Sequence, residues 1–396
     1  MQIGAMSTAN MLSNILFQWL VLTILGPGMG SDALFAGMTV PQLFAVVVGA
    51  SLTHVLVPIL AGEPEVDQRR DGWALLAICG AGFLLLALLL ITTAVWWVPL
   101  TVPGFPLQGK ELTIAIARIS LVGMVFTGLN SVQAAMAYAR RKYIWADAAP
   151  MVANLLAVLC LFLALPRYGV MAAAWISVGR LLVQTLLLQS VMGPPVAPDL
   201  KAAVLRAAWR KLAPMLAGAS YYKLDPLVDR ILLSSAQAGS LSLLYMAQQV
   251  YSAGGQVIGK ALAVPAITEM ATYYKMGDVV AYRRALRVTT MKVAGICMLG
   301  MLCLLLVGSP ILGLVMNHGK FGPAQTDLLW LLLLLMSGQF IAGSIGSLTA
   351  GAFYARGDTL TPTVLGSIAF TLGIAMKVAM FKMFGLLGLA VAISVY

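Results

Sequence analysis

Charged side chains are scarce in this chain of 396 residues: Asp, Glu, Lys and Arg make up 10% of it, and hydrophobic residues make up 61%. Soluble domains carry about 25% charged residues, so the composition excludes a soluble globular protein. Histidine occurs only at His54 and His318. The chain therefore has no Ser/His/Asp set and no spacing of metal ligands, and its glycine-rich turns lack the lysine of a phosphate-binding loop. These absences predict that the protein is not an enzyme and has no nucleotide-binding domain.

Cysteine is also sparse, and the four residues form no CxxC pair. Cys79, Cys160, Cys297 and Cys303 all lie inside apolar runs, so they are predicted to be buried small hydrophobic side chains rather than metal ligands or disulfides. The net charge of +11 would suggest nucleic acid as a partner of a soluble domain. In a membrane protein the placement of the cations matters more than their sum, and no nucleic-acid partner is predicted.

Long apolar runs are what the sequence has in abundance, with a mean hydropathy of +0.93. Runs of about 20 residues or more predict membrane-spanning helices. They lie at 5–26, 33–61, 73–98, 111–139, 146–165, 169–192, 212–236, 240–272, 282–308, 325–354 and 361–384, and a twelfth begins at 386. The predicted fold class is an all-α polytopic membrane protein with about 11–12 transmembrane helices.

Lysine and arginine are distributed unevenly between the two sets of predicted loops. Fourteen lie on one side: Arg69, Arg70, Arg140, Arg141, Lys142, Lys201, Arg206, Arg210, Lys211, Lys275, Arg283, Arg284, Arg287 and Arg356. Four lie on the other: Lys110, Arg167, Lys320 and Lys382. The first side is predicted to be cytoplasmic, which places the N-terminus of this multi-pass protein in the cytoplasm.

Two halves of the chain share a pattern of a span, a Gly/Ser turn, and a second span with a proline near its cytoplasmic end. Asp32 and Pro58 mark this unit in the first half, and Ser240 and Pro265 mark it at nearly equal spacing in the second. The pattern predicts two pseudo-symmetric six-helix bundles, at 1–195 and 212–396, joined by an amphipathic cytoplasmic linker at 196–211. Repeats of this kind are a scaffold for alternating access. The alternative is that such turns and prolines occur in any membrane bundle.

Several motifs, in order along the chain, resemble one family. They are GPGMGSDALFAG at 26–37, VPIL at 57–60, VDRILLSS at 228–235, GSLSLLYMAQ at 239–248, NHGKFGPAQTDLL at 317–329 and GAFYARGDTLTPT at 351–363. Together they resemble the MurJ/MviN family of lipid-linked saccharide flippases, within the multidrug/oligosaccharidyl-lipid/polysaccharide (MOP) superfamily, which also contains the MATE transporters. The resemblance implies a flippase that carries an undecaprenyl-diphosphate-linked saccharide, either lipid II or an exopolysaccharide repeat unit, to the outer leaflet. Such members have fourteen helices, so this chain is expected to lack the last two and most of the twelfth.

The cavity predicted by this resemblance departs from the family pattern in its cations. Members that handle the peptidoglycan precursor carry arginines in the first, second and eighth helices. Here the first helix, NMLSNILFQWLVLTIL, is uncharged, and Gln249 stands where the last of these arginines is expected. A diphosphate needs concentrated positive charge, so recognition is predicted to depend more on sugar hydroxyls and the lipid tail, with Lys260 as the main cation. The predicted substrate-binding residues are Gln18, Asp32, Gln42, Arg230, Gln249 and Lys260.

A further group of charges lies inside predicted spans. Asp225 and Asp229, four residues apart, share a helix face and repel each other unless a cation or a proton lies between them. With Lys377 they are the predicted ion-coupling residues, for Na⁺ or H⁺, and no other cofactor is predicted. The alternative is a structural ion pair with Lys223, Lys260 or Lys377. Of the remaining cations, Arg180 is expected to pair with a neighbouring helix.

Three functions are compatible with these observations. The first is the flippase described above, with membrane lipid and a polyprenyl-linked saccharide as its partners. The second is an ion-coupled drug or metabolite antiporter of the same superfamily. The third is a non-transporting scaffold for a cell-envelope glycan assembly complex, which the missing arginines favour and which would bind glycan biosynthesis proteins.

Overall fold

The computed structural model describes residues 2–61, 64–199 and 203–396, with side chains described outside 2–8, 50, 54, 203 and 214–220. The side chain of His54 therefore lies outside the described residues. The described residues form helices, turns and loops without a strand, which confirms the predicted all-α fold.

The helices are α1 (Gln2–Leu25), α2 (Met29–Phe44), α3 (Ala50–Leu60), α4 (Glu65–Thr92), α5 (Ala94–Thr101), α6 (Leu107–Ala139), α7 (Tyr143–Met192), α8 (Ala203–Ser220), α9 (Asp225–Leu233), α10 (Ser240–Ile258), α11 (Val264–Lys275), α12 (Val279–Met316), α13 (Pro323–Leu335), α14 (Ser337–Ala355) and α15 (Leu360–Val395). A π turn at Ala45–Gly49 joins α2 to α3, and another at Gly259–Ala263 joins α10 to α11. A single 3₁₀ turn at Tyr222–Leu224 precedes α9.

Glycines divide the longest helices at points where predicted spans meet. If α7 were straight, its 50 residues would form a helix about 75 Å long. The hydrocarbon core of a bilayer is only roughly 30 Å thick. Gly169 interrupts α7 with φ of +59°, a left-handed conformation that glycine adopts without steric cost. Gly385 interrupts α15 in the same way. Among the described residues, six helical segments are long and apolar enough to cross a membrane, and α13 with α14, bent by 44°, adds a seventh if the pair is counted as one span.

The chain divides into two compact units, Met1–Ala238 and Gly239–Tyr396. In the first unit α6 is central and packs against α2, α3, α4 and α7. Amide side chains hold α6 to α7: Gln133 Nε2 donates to Gln189 Oε1 at 2.9 Å, and Thr185 Oγ1 donates to Asn130 Oδ1 at 3.0 Å. Such bonds help helices associate in lipid, where burial of apolar surface provides no driving force.

Helix α8 belongs to the first unit and has the amphipathic character predicted for the linker. Val204, Ala208 and Leu212 are buried at intervals of four residues, and α8 packs on α3. Arg206 and Trp209 are exposed on its other face, as in a helix that lies along a membrane surface. The predicted domains 1–195 and 212–396 stay a prediction.

In the second unit α12 packs against α11, α13 and α14. Tyr282 Oη donates to the carbonyl of Ala352 at 2.8 Å, and Trp330 Nε1 donates to the carbonyl of Leu304 at 3.0 Å. At the start of α14, the backbone N–H of Gly338 donates to Ser394 Oγ at 2.8 Å. A side chain at Gly338 would collide with the backbone of Ser394. Glycine at this position therefore allows α14 and α15 to approach closely.

The four cysteines are free thiols that differ in their exposure. Cys297 is buried and Cys79 is half-buried, whereas Cys160 and Cys303 are exposed on the protein surface. The prediction that all four are buried is therefore wrong for Cys160 and Cys303, because an apolar side chain in a membrane span can face lipid as well as the protein core. The described residues contain no group of three or more His, Cys, Asp or Glu that could hold a metal ion.

The motif RGDTLTP forms the turn between α14 and α15, and its glycine, aspartate and second threonine have structural roles there. Gly357 has φ of +80°. Asp358 accepts hydrogen bonds from the backbone N–H of Thr361 at 3.0 Å and from its hydroxyl at 2.7 Å. These two bonds to the carboxylate, the backbone bond first, lower the pKa of Asp358. Asp358 thereby satisfies an N–H group at the start of α15 that has no acceptor within the helix.

Asp358→Ala is expected to lower the thermal unfolding temperature of the purified chain at neutral pH, because α15 loses this acceptor. A carboxyl whose pKa is lowered by folding stabilises the protein above its unfolded pKa, and the contribution disappears as the pH falls through the folded pKa. The difference between wild type and variant should therefore shrink on acidification. Asp327→Ala, which removes an exposed carboxylate of α13, is the control, and an equal loss in both variants would contradict the capping role.

Candidate functional site

A cavity of about 590 Å³ lies in the second unit between α10, the π turn that follows it, and α14. Tyr251 and Phe340 contribute apolar wall, with their rings stacked at 5.1 Å between centroids. The polar side chains that line it are Gln248, Ser252, Gln256, Lys260, Gln339, Ser344 and Ser347. The cavity therefore combines one cation with amides and hydroxyls, groups that hydrogen-bond phosphate and sugar.

The π turn explains how Lys260 reaches this cavity. A π turn adds one residue to a helical turn and is frequent at functional sites. Gly255 and Gly259 line the cavity just before Lys260, so no side chain fills the space beside it. Lys260 is exposed, as expected of a cation in an otherwise apolar span, where charge persists chiefly at a partner or in a water-filled cavity.

The cavity wall also has polar groups available for a ligand. The Oε1 atom of Gln339 is buried and accepts no hydrogen bond from the described residues. Gln256 Nε2 lies 3.4 Å from Ser252 Oγ, a long and weak bond. Tyr251, by contrast, is held in place, since its hydroxyl donates to the carbonyl of Leu333 near the end of α13. The amides of Gln339 and Gln256 therefore retain hydrogen-bonding capacity for a ligand beside a fixed tyrosine.

Gln249, the predicted substrate-binding glutamine, is the neighbour in sequence of Gln248, which lines this cavity. Gln248 contributes to the wall, and Gln249 is the next residue on α10. Successive residues of a helix point about 100° apart, so a sequence pattern without a known helix phase does not distinguish the two.

In the first unit, α1 carries a polar stripe formed by Asn10, Asn14 and Gln18, spaced by four residues on one helix face. Arg180 of α7 donates from Nη1 to Asn14 Oδ1 and to Asn154 Oδ1, both at 2.7 Å. Asn154 in turn donates to Asn10. Gln18 is 7% exposed, and its Oε1 atom accepts no hydrogen bond from the described residues. The uncharged helix α1 therefore has a cation, Arg180, beside its polar stripe, and a buried acceptor, Gln18 Oε1, within the stripe.

The remaining predicted site residues are spread over both units. In the first, Asp32 is buried at the start of α2, and Gln42 is half-buried near its end. Asp229 and Arg230 of α9 are 1% and 2% exposed, and Arg230 Nε donates to Thr39 Oγ1 of α2 at 3.3 Å. α9 therefore presents two adjacent buried charges, one of which contacts α2.

The other predicted ion-coupling residues differ in their burial. Asp225 is half-buried at the first position of α9, whereas Lys377 of α15 is fully buried. The Lys377 ammonium lies 5.2 Å from the centre of the Tyr396 ring, a distance at which the ring quadrupole attracts a cation.

Comparison with known proteins adds an independent observation. The family model described as "Lipid II flippase MurJ" matches residues 21–396. The chain belongs to the MurJ family. It is 22% identical over 426 aligned positions to a probable lipid II flippase MurJ of Vibrio cholerae, covering 99% of this chain and 79% of that protein. It is 23% identical to the corresponding protein of Rhizobium tropici, covering 95% of this chain and 74% of that protein.

Solved structures show that the fold is that of MurJ and of the MOP superfamily. A structure of lipid II flippase MurJ in an inward closed conformation matches with a TM-score of 0.85 at 17% identity, covering 99% of this chain and 84% of that one. An inward-facing MATE multidrug transporter of the MOP superfamily matches with a TM-score of 0.80 at 16% identity, covering 97% and 90%. At these identities the likeness establishes the fold alone, and it confirms the predicted MOP/MATE-like class.

Within this MurJ-family chain, sequence reasoning missed the position of Arg180 relative to the first helix. The expectation that Arg180 contacts a neighbouring helix is met by its bond to Asn14, but that neighbour is α1, the helix predicted to lack cations. The spacing of Asn10, Asn14 and Gln18 was the available signal, because three amides on one face of an apolar helix indicate a polar partner.

Proposed function

We propose that this chain moves lipid II, or a closely similar polyprenyl-diphosphate-linked saccharide, across the bacterial inner membrane by alternating access. Membership of the MurJ family supports this function. The observation that carries it is the cavity in which Lys260, on a π turn, lies among amides and hydroxyls. A diphosphate bearing sugars requires a cation beside hydrogen-bonding groups, and this cavity supplies both.

The headgroup is recognised by few cations and many neutral groups. Lys260 contributes a charge-assisted hydrogen bond to a phosphate oxygen, which is worth about 1.5–3 kcal/mol. Gln248, Gln339 and Ser344 bond sugar hydroxyls. Recognition in this family member thus depends more on sugars and neutral groups than on cations, with Lys260 as the main cation.

Transport is driven by an ion gradient, Na⁺ or H⁺, through the buried carboxylate of Asp229. The N-terminus lies in the cytoplasm, as the loop cations indicate, and lipid II is taken from the cytoplasmic leaflet. A partner from cell-envelope glycan biosynthesis would supply this substrate.

The function is tested by reconstituting the full chain in liposomes and following two probes, lipid II with a fluorescent headgroup and a cationic dye. The flippase is expected to translocate lipid II and to leave the dye unmoved. Movement of the dye alone would identify a drug antiporter, and movement of neither under an imposed Na⁺ or H⁺ gradient would favour a scaffold. Either result overturns the proposal.

The orientation is tested with single cysteines in a chain whose four native cysteines are replaced by alanine. Val66 is 71% exposed near the start of α4, and Ala324 is exposed at the start of α13. A membrane-impermeant maleimide is expected to reach Val66→Cys only from the cytoplasm and Ala324→Cys only from the outside. Gln68, two residues further along α4, is unsuitable because it is buried. Labelling of both sites from one side would contradict the topology.

A further inference from the structure

Two arginines from different helices converge where α7 ends in the first unit. Gly193 turns the chain there with φ of +75°. A Cβ atom built on Gly193 would lie 3.4 Å from Cδ of Arg69, in α4, and 3.7 Å from Nη1 of Arg140, which follows α6. Both cationic side chains therefore lie beside Gly193, where the left-handed turn favours glycine.

The guanidinium of Arg140 is fixed by hydrogen bonds to two chain segments, α4 and the end of α7. Its Nε donates to Gln68 Oε1 at 3.0 Å, and its Nη1 donates to the carbonyl of Val191 at 2.7 Å. Gln68 is buried and donates to the carbonyl of Leu60 at 3.0 Å. Arg140 is thus held in one position before any ligand binds, which reduces the entropy cost of binding.

Both arginines keep hydrogen-bond donors that the protein does not use. Nη2 of Arg140 and Nε of Arg69 are buried and have no acceptor among the described residues. The nearby carboxylates of Asp67 and Asp71 instead lie 3.4 Å and 3.6 Å from the guanidinium of Arg70. Within the described part of the chain, neither Arg69 nor Arg140 forms an ion pair. Buried donors without an acceptor are unfavourable, so an anion at this point would stabilise the fold.

We propose that Arg69 and Arg140 bind the phosphate-ester anion of a lipid headgroup at the cytoplasmic end of the first unit. The planar fork of Arg69 can match two phosphate oxygens, and Arg140 adds a charge-assisted donor from its unused Nη2. Trp73, whose indole N–H donates to the carbonyl of Pro194 at 3.1 Å, is half-buried in the same region, as expected of an aromatic residue at headgroup level. The anion is either the phosphodiester of an anionic phospholipid or the diphosphate of a lipid-linked saccharide, and the site does not depend on the proposed transport.

The experiment measures the thermal unfolding temperature of the purified full chain in detergent as a lipid is titrated in. Phosphatidylglycerol, phosphatidylcholine and lipid II are the three probes. Stabilisation by phosphatidylglycerol but not by phosphatidylcholine would assign the site to an anionic phospholipid, and stabilisation by lipid II alone would assign it to the diphosphate. No stabilisation by either anionic lipid overturns the proposal.

Arg69→Gln is expected to weaken the apparent binding of the stabilising lipid about tenfold or more, because it removes a charge-assisted donor. Arg70→Gln makes the same change in charge one residue away, at a side chain that faces the two carboxylates, and should bind as wild type does. Equal weakening in both variants would show only general surface attraction and overturn the site. Should Arg69→Gln not fold, Arg69→Lys keeps the charge without the planar fork, and it must weaken binding where Arg70→Lys does not.

Discussion

Lys260→Ala is expected to reduce transport of lipid II in liposomes about ten- to hundredfold, because a charge-assisted hydrogen bond to a buried anion contributes roughly 1.5–3 kcal/mol. Lys260 lies on a π turn, lines the cavity of the second unit, and has only amides and hydroxyls as polar neighbours in the cavity wall. These neutral groups do not replace its charge. In cells depleted of their own lipid II flippase, the variant should fail to restore growth where the wild-type chain succeeds.

Two further variants separate the role of this charge from its effect on folding. Lys260→Arg keeps a cation in the cavity and should retain most of the transport. Lys292→Ala removes an exposed lysine from α12 of the same unit and should leave transport unchanged. If Lys260→Ala transports lipid II as wild type does, the cavity is not the headgroup site, even where the chain proves to be a flippase.

Asp229→Asn is expected to preserve the fold and to change the dependence of transport on the Na⁺ or H⁺ gradient. Asp229 is 1% exposed in α9, and asparagine has nearly the same volume without the charge. A buried carboxylate that exchanges a cation or a proton during transport loses this ability as an amide. Transport rates under imposed Na⁺ and pH gradients, with the circular dichroism spectrum as a check on folding, measure the two effects separately.

The competing interpretation is a structural ion pair, and a second variant distinguishes it. Removing one partner of a buried ion pair costs about 3–5 kcal/mol, because the other charge remains buried and uncompensated. If Asp229→Asn unfolds the protein and Lys377→Met in the same chain restores it, Asp229 has a structural role and the coupling role is refuted. Lys377→Met alone should leave the coupling ion unchanged if Asp229 acts without it.

The fold could be read from the sequence to the extent that it depends on local chemistry. A membrane provides no hydrogen-bonding partners for the backbone, so a long apolar run can only be helical. The break within α7 coincides with the predicted junction near 169, and the turn at Gly357 and Asp358 agrees with the residue types of its motif. Exposure was less predictable, as Cys160 and Cys303 show, because the apolar residues of a span can face either lipid or protein.

The candidate site could be predicted only in part, for a geometric reason. Lys260 stands out in the sequence because a charge in an apolar run is costly unless it has a partner or a cavity. Whether Gln248 or Gln249 accompanies it depends on helix phase, which a π turn alters by one residue. The contact of Arg180 with Asn14 joins positions 166 residues apart, and nothing in the local pattern of either helix specifies the other.

The sequence by itself determined that this protein is helical and membrane-spanning, and its motifs indicated the MurJ family. These properties follow from hydrophobicity, residue type and spacing, which act over a few turns of helix. Only the tertiary structure decided which polar groups meet: Lys260 with the amides of its cavity, Arg180 with the first helix, and Arg69 with Arg140 beside Gly193. Such encounters depend on how helices distant in sequence pack and rotate against one another, and that packing is a property of the folded chain as a whole.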